Sequence, residues 1–445
     1  MSKPIVSVAG IRGVVGHSLL PEEFLRYVLA YASTRKGRQI LVGGDCRLSR
    51  HMLRRLVFAG LESSGFEAID LDVCPTPTVG LMVAELGAAG GIAITASHNP
   101  AEWNALKFFS PAGAFLSPRE FQRVLDAYET GHFRRVPLRG LGRVLALPDP
   151  VGPHLERVTA LVDRAAIRNR ALRAAVDCCN GAGTAILPRL LKLLGVEAQF
   201  IFTDGAVEFE RPPEPLPENL GALSRMVQAT GADVGFAVDP DADRLALVDE
   251  TGRPIGEERT LTLAANHWLK REKTPLVANL STTRALDDVA RAHGVRIYRT
   301  PIGEAHVVAK MKRVHSGIGG EGNGGVIVPR VHAGRDAATG VALLCEALAQ
   351  NGGPLSALNA AVPDYVIVKS KVPIEGRSVA RMLPRIERAL PKPRKKSARD
   401  GLKLEYDNGW VHVRPSGTEP IIRIFAEART EEQARQWVEQ IHRIV

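Results

Sequence analysis

Three times along this chain a short strand-like run leads into a polar loop and then into an amphipathic helix that stops at a glycine. The first copy is QILVGGDCRLSRHMLRRLVFAGLESSG, residues 39–65. The second is AAVDCCNGAGTAILPRLLKLLG, 174–195, and the third is PLVANLSTTRALDDVARAHG, 275–294. Each helix carries apolar residues at helical spacing; Leu187, Leu190, Leu191 and Leu194 form such a stripe. Strands that alternate with helices pair in parallel and bury both sheet faces under helices. At 445 residues the chain is too long for one ordinary core.

The reading is therefore three similar α/β domains, with a change of pattern near Pro363. Beyond it, two alternating stretches, Tyr365–Val372 and Trp410–Pro415, flank a helical segment. A strand over Ile421–Ala426 and a helix from Glu431 follow, so this end reads as a small α+β domain. Pro148-Asp149-Pro150 breaks the chain after the first unit, and the proline-rich Arg211–Gly221 reads as a long loop inside the second. The expected domains are 1–150, 151–254, 255–364 and 365–445.

Charged residues make up 24% and hydrophobic ones 45%, the balance of a globular protein. No run approaches the ~20 apolar residues of a membrane helix. The opening MSKPIVSVAG has no apolar signal-peptide core, so a cytoplasmic protein is expected. Five scattered cysteines, with Cys178 and Cys179 adjacent, read as small core hydrophobes in a reducing compartment. The formal net charge of +10 suits either nucleic acid or a small anionic substrate. The densest basic cluster, PKPRKKSAR at 391–399, reads as an exposed loop and lacks the aromatics of a stacking platform. Nucleic acid is the weaker reading, and oligomeric state is not legible.

Four stretches carry chemistry. In TASHNP, 95–100, an apolar strand breaks into a polar knot. There is no GxSxG elbow, and His98 beside Ser97 does not make a hydrolase triad. An exposed serine hydroxyl at a strand end, with Lys107 to neutralise charge, suits a serine that accepts a phosphoryl group. In DPDADR, 239–244, Asp239, Asp241 and Asp243 are spaced by two and can converge on a hard cation. Glu250 falls where the twelfth ligand of an EF-hand would stand, but Arg244 replaces the required glycine and the flanks are strand-like. Mg²⁺ is the expected ion, because three carboxylates leave room for waters and a phosphate oxygen. In GGEGNGGVIVP, 319–329, Glu321 and Asn323 are the side chains that could read paired hydroxyls. In RPSGTEP, 414–420, Arg414, Ser416, Thr418 and the Gly417 amide form a set of phosphate donors.

Together, in this order and across essentially the whole chain, these stretches resemble the α-D-phosphohexomutase superfamily. TASHNP looks like its phosphoserine loop, DPDADR its metal loop, GEGNGG its sugar loop and RPSGTEP its phosphate-binding loop. AGIRGVVG, 9–16, is similar to its N-terminal segment, which implies an active-site role for Arg12. The resemblance implies three mixed-sheet α/β domains plus a C-terminal α+β domain around a central cleft. It implies that phosphorylated Ser97 donates to a hexose phosphate, and that the bisphosphate turns over before returning the other phosphate. Ser97, Lys107, Arg12 and His98 form the implied catalytic set. Ser97, Asp239, Asp241 and Asp243 would hold Mg²⁺, and Arg244 would support their loop. Glu321 and Asn323 would face the sugar hydroxyls. Many relatives have serine where Asn323 stands and histidine where Gly325 stands. The motifs look most like the branch called archaeal-type phosphoglucosamine mutase, which implies glucosamine 6-phosphate as substrate. Phosphomannomutase/phosphoglucomutase activity is the alternative, and a sugar-phosphate phosphatase or binding protein the remote one.

Overall fold

The computed structural model describes residues 3–205, 208–374, 378–416 and 421–445. The first sheet contains β1 (Ile5–Ser7), β2 (Gly10–Val14), β3 (Gln39–Gly44), β4 (Glu67–Val73), β5 (Gly90–Ile94), β6 (Trp103–Phe109) and β7 (Arg143–Ala146). Their spatial order is β1-β2-β6-β5-β3-β4-β7. The second sheet contains β8 (Arg173–Asp177), β9 (Glu197–Ile201), β10 (Val234–Val238) and β11 (Leu245–Asp249), in the order β11-β10-β8-β9. The third contains β12 (Leu276–Asn279), β13 (Ile297–Thr300), β14 (Ile318–Glu321) and β15 (Gly325–Ile327), in the order β13-β12-β14-β15.

One topology underlies all three. The first strand lies between the second and third and is parallel to both, and a hairpin then adds an antiparallel fourth. The repeating strand–helix units produce the three parallel strands. The fourth strand makes each sheet mixed. The hairpin loops between third and fourth strands are Thr95–Glu102, Asp239–Arg244 and Gly322–Gly324. Three of the four sequence motifs thus occupy the same topological position in three domains.

The glycines that close the three helices, Gly65, Gly195 and Gly294, all have positive φ, the left-handed conformation that ends a helix. The Leu187, Leu190, Leu191 and Leu194 stripe is fully buried. The apolar core runs without a break through all three domains, from Leu41 and Val79 through Leu187 to Leu269 and Leu344. The helix Ala337–Asn351 is buried on every side of its first twelve residues and packs against helices of the second and third domains, as a helix with no polar face must. Its one buried carboxylate, Glu346, accepts from His267, Arg271 and the Asp163 amide. All five cysteines are free and buried. Among the described residues no helix is long and apolar enough to cross a membrane.

The fourth sheet is antiparallel throughout: β16 (Val366–Pro373), β17 (Lys395–Ser397), β18 (Leu402–Glu405), β19 (Gly409–Pro415) and β20 (Ile421–Ala428), in the order β16-β20-β19-β18-β17. Helices Val379–Ala389 and Glu431–His442 complete a separate core around Ile386, Val411 and Trp437. The basic cluster is corrected here: its centre is the edge strand β17, not a loop. Lys396 pairs with Glu387 at 2.5 Å and Lys395 with Glu405 at 3.8 Å. Lysines on a short edge strand blunt it against pairing with other chains.

The joint between the third and fourth domains is polar. Lys403 donates to the Leu280 carbonyl (2.5 Å), Ser281 meets His412 (2.8 Å), and both Glu427 oxygens accept from the Arg284 amide (3.0 and 3.2 Å). Lys369 reaches Glu257 (2.6 Å) and Glu258 (3.4 Å). Burial pushes Glu258 up to about 8, against the pull of Lys369. A carboxyl whose folded pKa lies above its unfolded value holds its proton better when folded. Its contribution is complete below the unfolded pKa and is lost as pH rises towards 8. Glu258→Gln is expected to flatten the fall in melting temperature between pH 5 and pH 8. Equal slopes for variant and wild type would refute this assignment.

Candidate active site

The Thr95–Glu102 hairpin loop places Ser97 at φ +51°, a left-handed conformation that non-glycine residues adopt only where their surroundings hold them. Its hydroxyl donates to Asp239 Oδ2 at 2.8 Å, joining the hairpin loops of the first two domains. The other Asp239 oxygen accepts the backbone amides of Asp243 and Arg244, each at 3.1 Å, which curls the loop. Lys107 reaches across from β6 to Asp241 Oδ2 (2.6 Å), which also accepts from Thr76 (2.6 Å). Burial would push the Asp241 carboxyl up, but Lys107 and Thr76 hold it below the ordinary range. Asp239 lies well above that range, because it is buried beside two like charges.

The three aspartates are all buried, and one oxygen of each lies within 4.8 Å of the others. Asp241 Oδ1 and Asp243 Oδ1 are buried without a hydrogen-bond partner. Buried carboxylate oxygens are costly when unpaired. An all-oxygen donor set of this kind suits a hard divalent cation, so the residues fit a metal site.

The third domain supplies a residue that the sequence did not single out. Arg335 donates to Asp243 Oδ2 (2.6 Å), Glu321 Oε2 (3.1 Å) and Glu304 Oε2 (3.0 Å). Burial works against its charge, and these three carboxylates more than restore it. Its side chain also fills the space over Gly325, where a Cβ would lie 2.2 Å from Arg335 Cδ. A histidine at position 325 therefore has no room here while Arg335 keeps this position. Gly324, at φ +85°, brings its backbone against Leu245, whose amide donates to the Gly324 carbonyl at 3.0 Å. The Gly322–Gly324 and Asp239–Arg244 hairpin loops are thereby tied main chain to main chain.

The remaining sequence candidates fall as follows. Arg12, on β2, is buried and donates to Asn99 Oδ1 at 3.2 Å. His98 Nδ1 is buried without a partner; burial and the guanidiniums of Arg244, Arg12, Arg423 and Arg335 hold the ring well below the usual histidine range. Arg423 belongs to β20, so the fourth domain brings positive charge to the same place. Arg244 pairs with Glu214 (2.8 Å) and lies 3.8 Å from Asp243. Glu321 is committed within the protein, accepting from Asn279 (2.8 Å) and the Gly303 amide (3.0 Å) besides Arg335. Asn323 Oδ1 has no partner. Arg414 donates to Asp400 at 2.9 Å, and the Ser416 amide to the Ile421 carbonyl at 2.8 Å. Gly417 and Thr418 lie outside the described residues.

Two further residues escaped the sequence reading. Arg47, 2% exposed, and Asp45, 0% exposed, follow β3 and sit beneath the serine loop. An arginine in a polar loop gives no local signal of which distant carbonyls it will meet.

A serine hydroxyl held against three buried carboxylates, where like hairpins of three α/β domains converge, suits phosphoryl transfer to and from a small anion. Comparison with known proteins agrees. The phosphoglucomutase/phosphomannomutase alpha/beta/alpha domains I, II and III match residues 3–135, 153–252 and 257–365, and the C-terminal domain of the same family matches 368–444. The chain is 38% identical to "Phosphoglucomutase/phosphomannomutase" of Thermococcus kodakarensis, covering 97% of this chain and 96% of that one. It is 37% identical to "Probable phosphoglucosamine mutase" of Methanopyrus kandleri, covering 96% and 94%. A crystal structure of a phosphoglucomutase/phosphomannomutase family protein from Burkholderia thailandensis superposes with a TM-score of 0.85 at 26% identity, covering 98% and 95%. The chain belongs to the phosphoglucomutase/phosphomannomutase family and is a phosphohexomutase, an isomerase of carbohydrate metabolism.

Proposed function

We propose that this enzyme interconverts glucosamine 6-phosphate and glucosamine 1-phosphate through a phosphoserine at Ser97. The observation that carries the serine's role is its hydroxyl, 2.8 Å from Asp239 in a buried carboxylate trio. In the forward half-reaction the P–O bond to Ser97 Oγ breaks and a P–O bond to the sugar's free hydroxyl forms. The hydroxyl's proton ends on Ser97 Oγ, which is left as the free serine hydroxyl, so the transfer balances without a charged His98. The bisphosphate then presents its other end; that phosphoryl group returns to Ser97 Oγ, and the proton returns to the oxygen it leaves. Asp239, Asp241 and Asp243 would hold Mg²⁺, which would neutralise the phosphoryl oxygens and the departing serine oxygen. Lys107, fixed by Asp241, adds a cation beside the transferring group, and Arg12 holds the loop through Asn99. The 414–418 segment would grip the phosphate that is not reacting.

The choice of amino sugar is supported by charge. Among the described residues, Arg335 is the one cation in direct contact with Asp243, Glu321 and Glu304 together. Glu304 accepts through Oε2 from the Arg335 side chain and amide, which leaves Oε1 for an ammonium group. Burial, only partly offset by Arg335, pushes Glu304 up to about 7, and a bound cation would favour its ionised form.

A coupled assay with glucosamine, glucose and mannose 6-phosphates at equal concentration tests the substrate. A higher kcat/KM for glucosamine 6-phosphate is expected, and a clear preference for either neutral sugar would overturn the choice. Glu304→Gln, which keeps the shape, is expected to lower kcat/KM for the amino sugar about tenfold, the worth of one charged hydrogen bond. It should leave the neutral sugars nearly untouched.

A further inference from the structure

Ser97 sits in a closed hydrogen-bonded ring. Its amide donates to Thr95 Oγ1 (2.9 Å), and the Thr95 hydroxyl donates to Asp45 Oδ2 (2.6 Å). Arg47 Nε donates to the same Asp45 oxygen (3.1 Å), and Arg47 Nη2 donates to the Ser97 carbonyl (2.6 Å). The circuit leaves residue 97 through one flanking peptide group and re-enters through the other. Asp45 also accepts the Arg47 amide at 3.1 Å, which closes the short turn between them. The Arg47 guanidinium continues to the carbonyls of Asn99 (2.7 Å), Pro100 (2.5 Å) and Trp103 (3.1 Å). The Phe209 ring from the second domain lies 4.9 Å from it. Asp45 and Thr95 are 0% exposed.

Serine does not adopt φ +51° unaided, and an extended Ser97 would aim its hydroxyl elsewhere. The ring constrains the two peptide groups that define that angle. We propose that Asp45, Thr95 and Arg47 are positioning residues for phosphoryl transfer, which fix the left-handed backbone of Ser97 and thereby the line from its oxygen to the substrate. None of the three needs to touch the sugar. A planar guanidinium is required, because it serves one carboxylate and four carbonyls at once, and an ammonium cannot reproduce that fork.

The proposal rests on Ser97 as the phosphoryl carrier, so the test separates the two. Wild type, Thr95→Val and Arg47→Lys are incubated with glucose 1,6-bisphosphate, and the rate of gain of one phosphate is followed by intact mass. Steady-state kinetics and melting temperature are measured alongside. Both variants should load phosphate and turn over about 100-fold more slowly, the effect of an ångström-scale misplacement. KM should change less than about twofold, since uniform binding is untouched. Thr95→Val keeps the side-chain volume and decides the matter if Arg47→Lys does not fold. Unchanged loading and kcat in Thr95→Val, or a rise in KM with kcat intact, overturns the positioning role. Absence of any phosphate gain in the wild type would instead remove the phosphoserine reading beneath it.

Discussion

Ser97→Ala is expected to reduce turnover by about 10⁴-fold or more, the scale seen when a covalent carrier is deleted from an otherwise intact site. The loss should fall on kcat, because the groups that would bind the sugar and its distal phosphate belong to other domains. Folding should barely respond. The change removes one hydrogen bond to Asp239, worth about 1 kcal/mol, while Asp239 keeps its two backbone donors. The backbone ring at residue 97 uses no Ser97 side-chain atom, so alanine can occupy the same conformation. Wild-type protein exposed to a hexose bisphosphate should gain one phosphate in mass, and the variant none. An active Ser97→Ala enzyme, or one that still gains phosphate, would remove serine from the mechanism.

The second large effect is on the metal. Chelation of divalent cations should abolish turnover, and added Mg²⁺ should restore it. Binding to the folded state alone stabilises by RT ln(1 + [L]/Kd), about 2.7 kcal/mol at a hundredfold excess over Kd. Mg²⁺ should therefore raise the melting temperature of the substrate-free wild type by about 2–4 °C. Asp241→Asn should lose this shift at the same Mg²⁺ concentration and lose at least about 100-fold in kcat. The melting shift needs no catalysis, so it reports on the site itself. A wild-type protein whose melting ignores Mg²⁺ and other divalent cations, and whose activity survives chelation, would leave the aspartate trio without the role assigned to it.

Much of this architecture is legible in the amino-acid sequence. The period of the three strand–helix units located their helices, and glycines at 65, 195 and 294 marked the ends. The antiparallel fourth strands were not readable as such. Leu245–Asp249 is buried throughout and does not alternate, so its direction cannot be inferred from polarity. The lysines at 395 and 396 suggested a loop because charge is the usual mark of one, yet charge is also how an edge strand avoids unwanted partners. In the site, motifs that concentrate their chemistry within six residues were visible. Arg335 was not, since its partner Asp243 lies 92 positions away and its own neighbours, Gly334 and Asp336, give no hint of it. Arg47 likewise serves Ser97 from 50 positions away. Glu321 was recognised as a site residue, but its hydrogen bonds to Asn279 and Gly303 depend on tertiary contacts that spacing does not encode.

The two kinds of joint differ in what it takes to part them. Separating the first three domains would expose an unbroken apolar interior, at about 25 cal/mol for each Å² wetted. Separating the fourth would mostly return polar and charged groups to water, Lys369 and Glu257 among them, at about 1 kcal/mol per hydrogen bond. Ser97, the aspartate trio and the Gly322–Gly324 hairpin loop therefore lie on one side of the polar joint, and Arg414 lies on the other. On the proposed mechanism this polar joint is the one to open while a bisphosphate turns, and the aim of the Ser97 oxygen is set wholly by contacts on the other side of it.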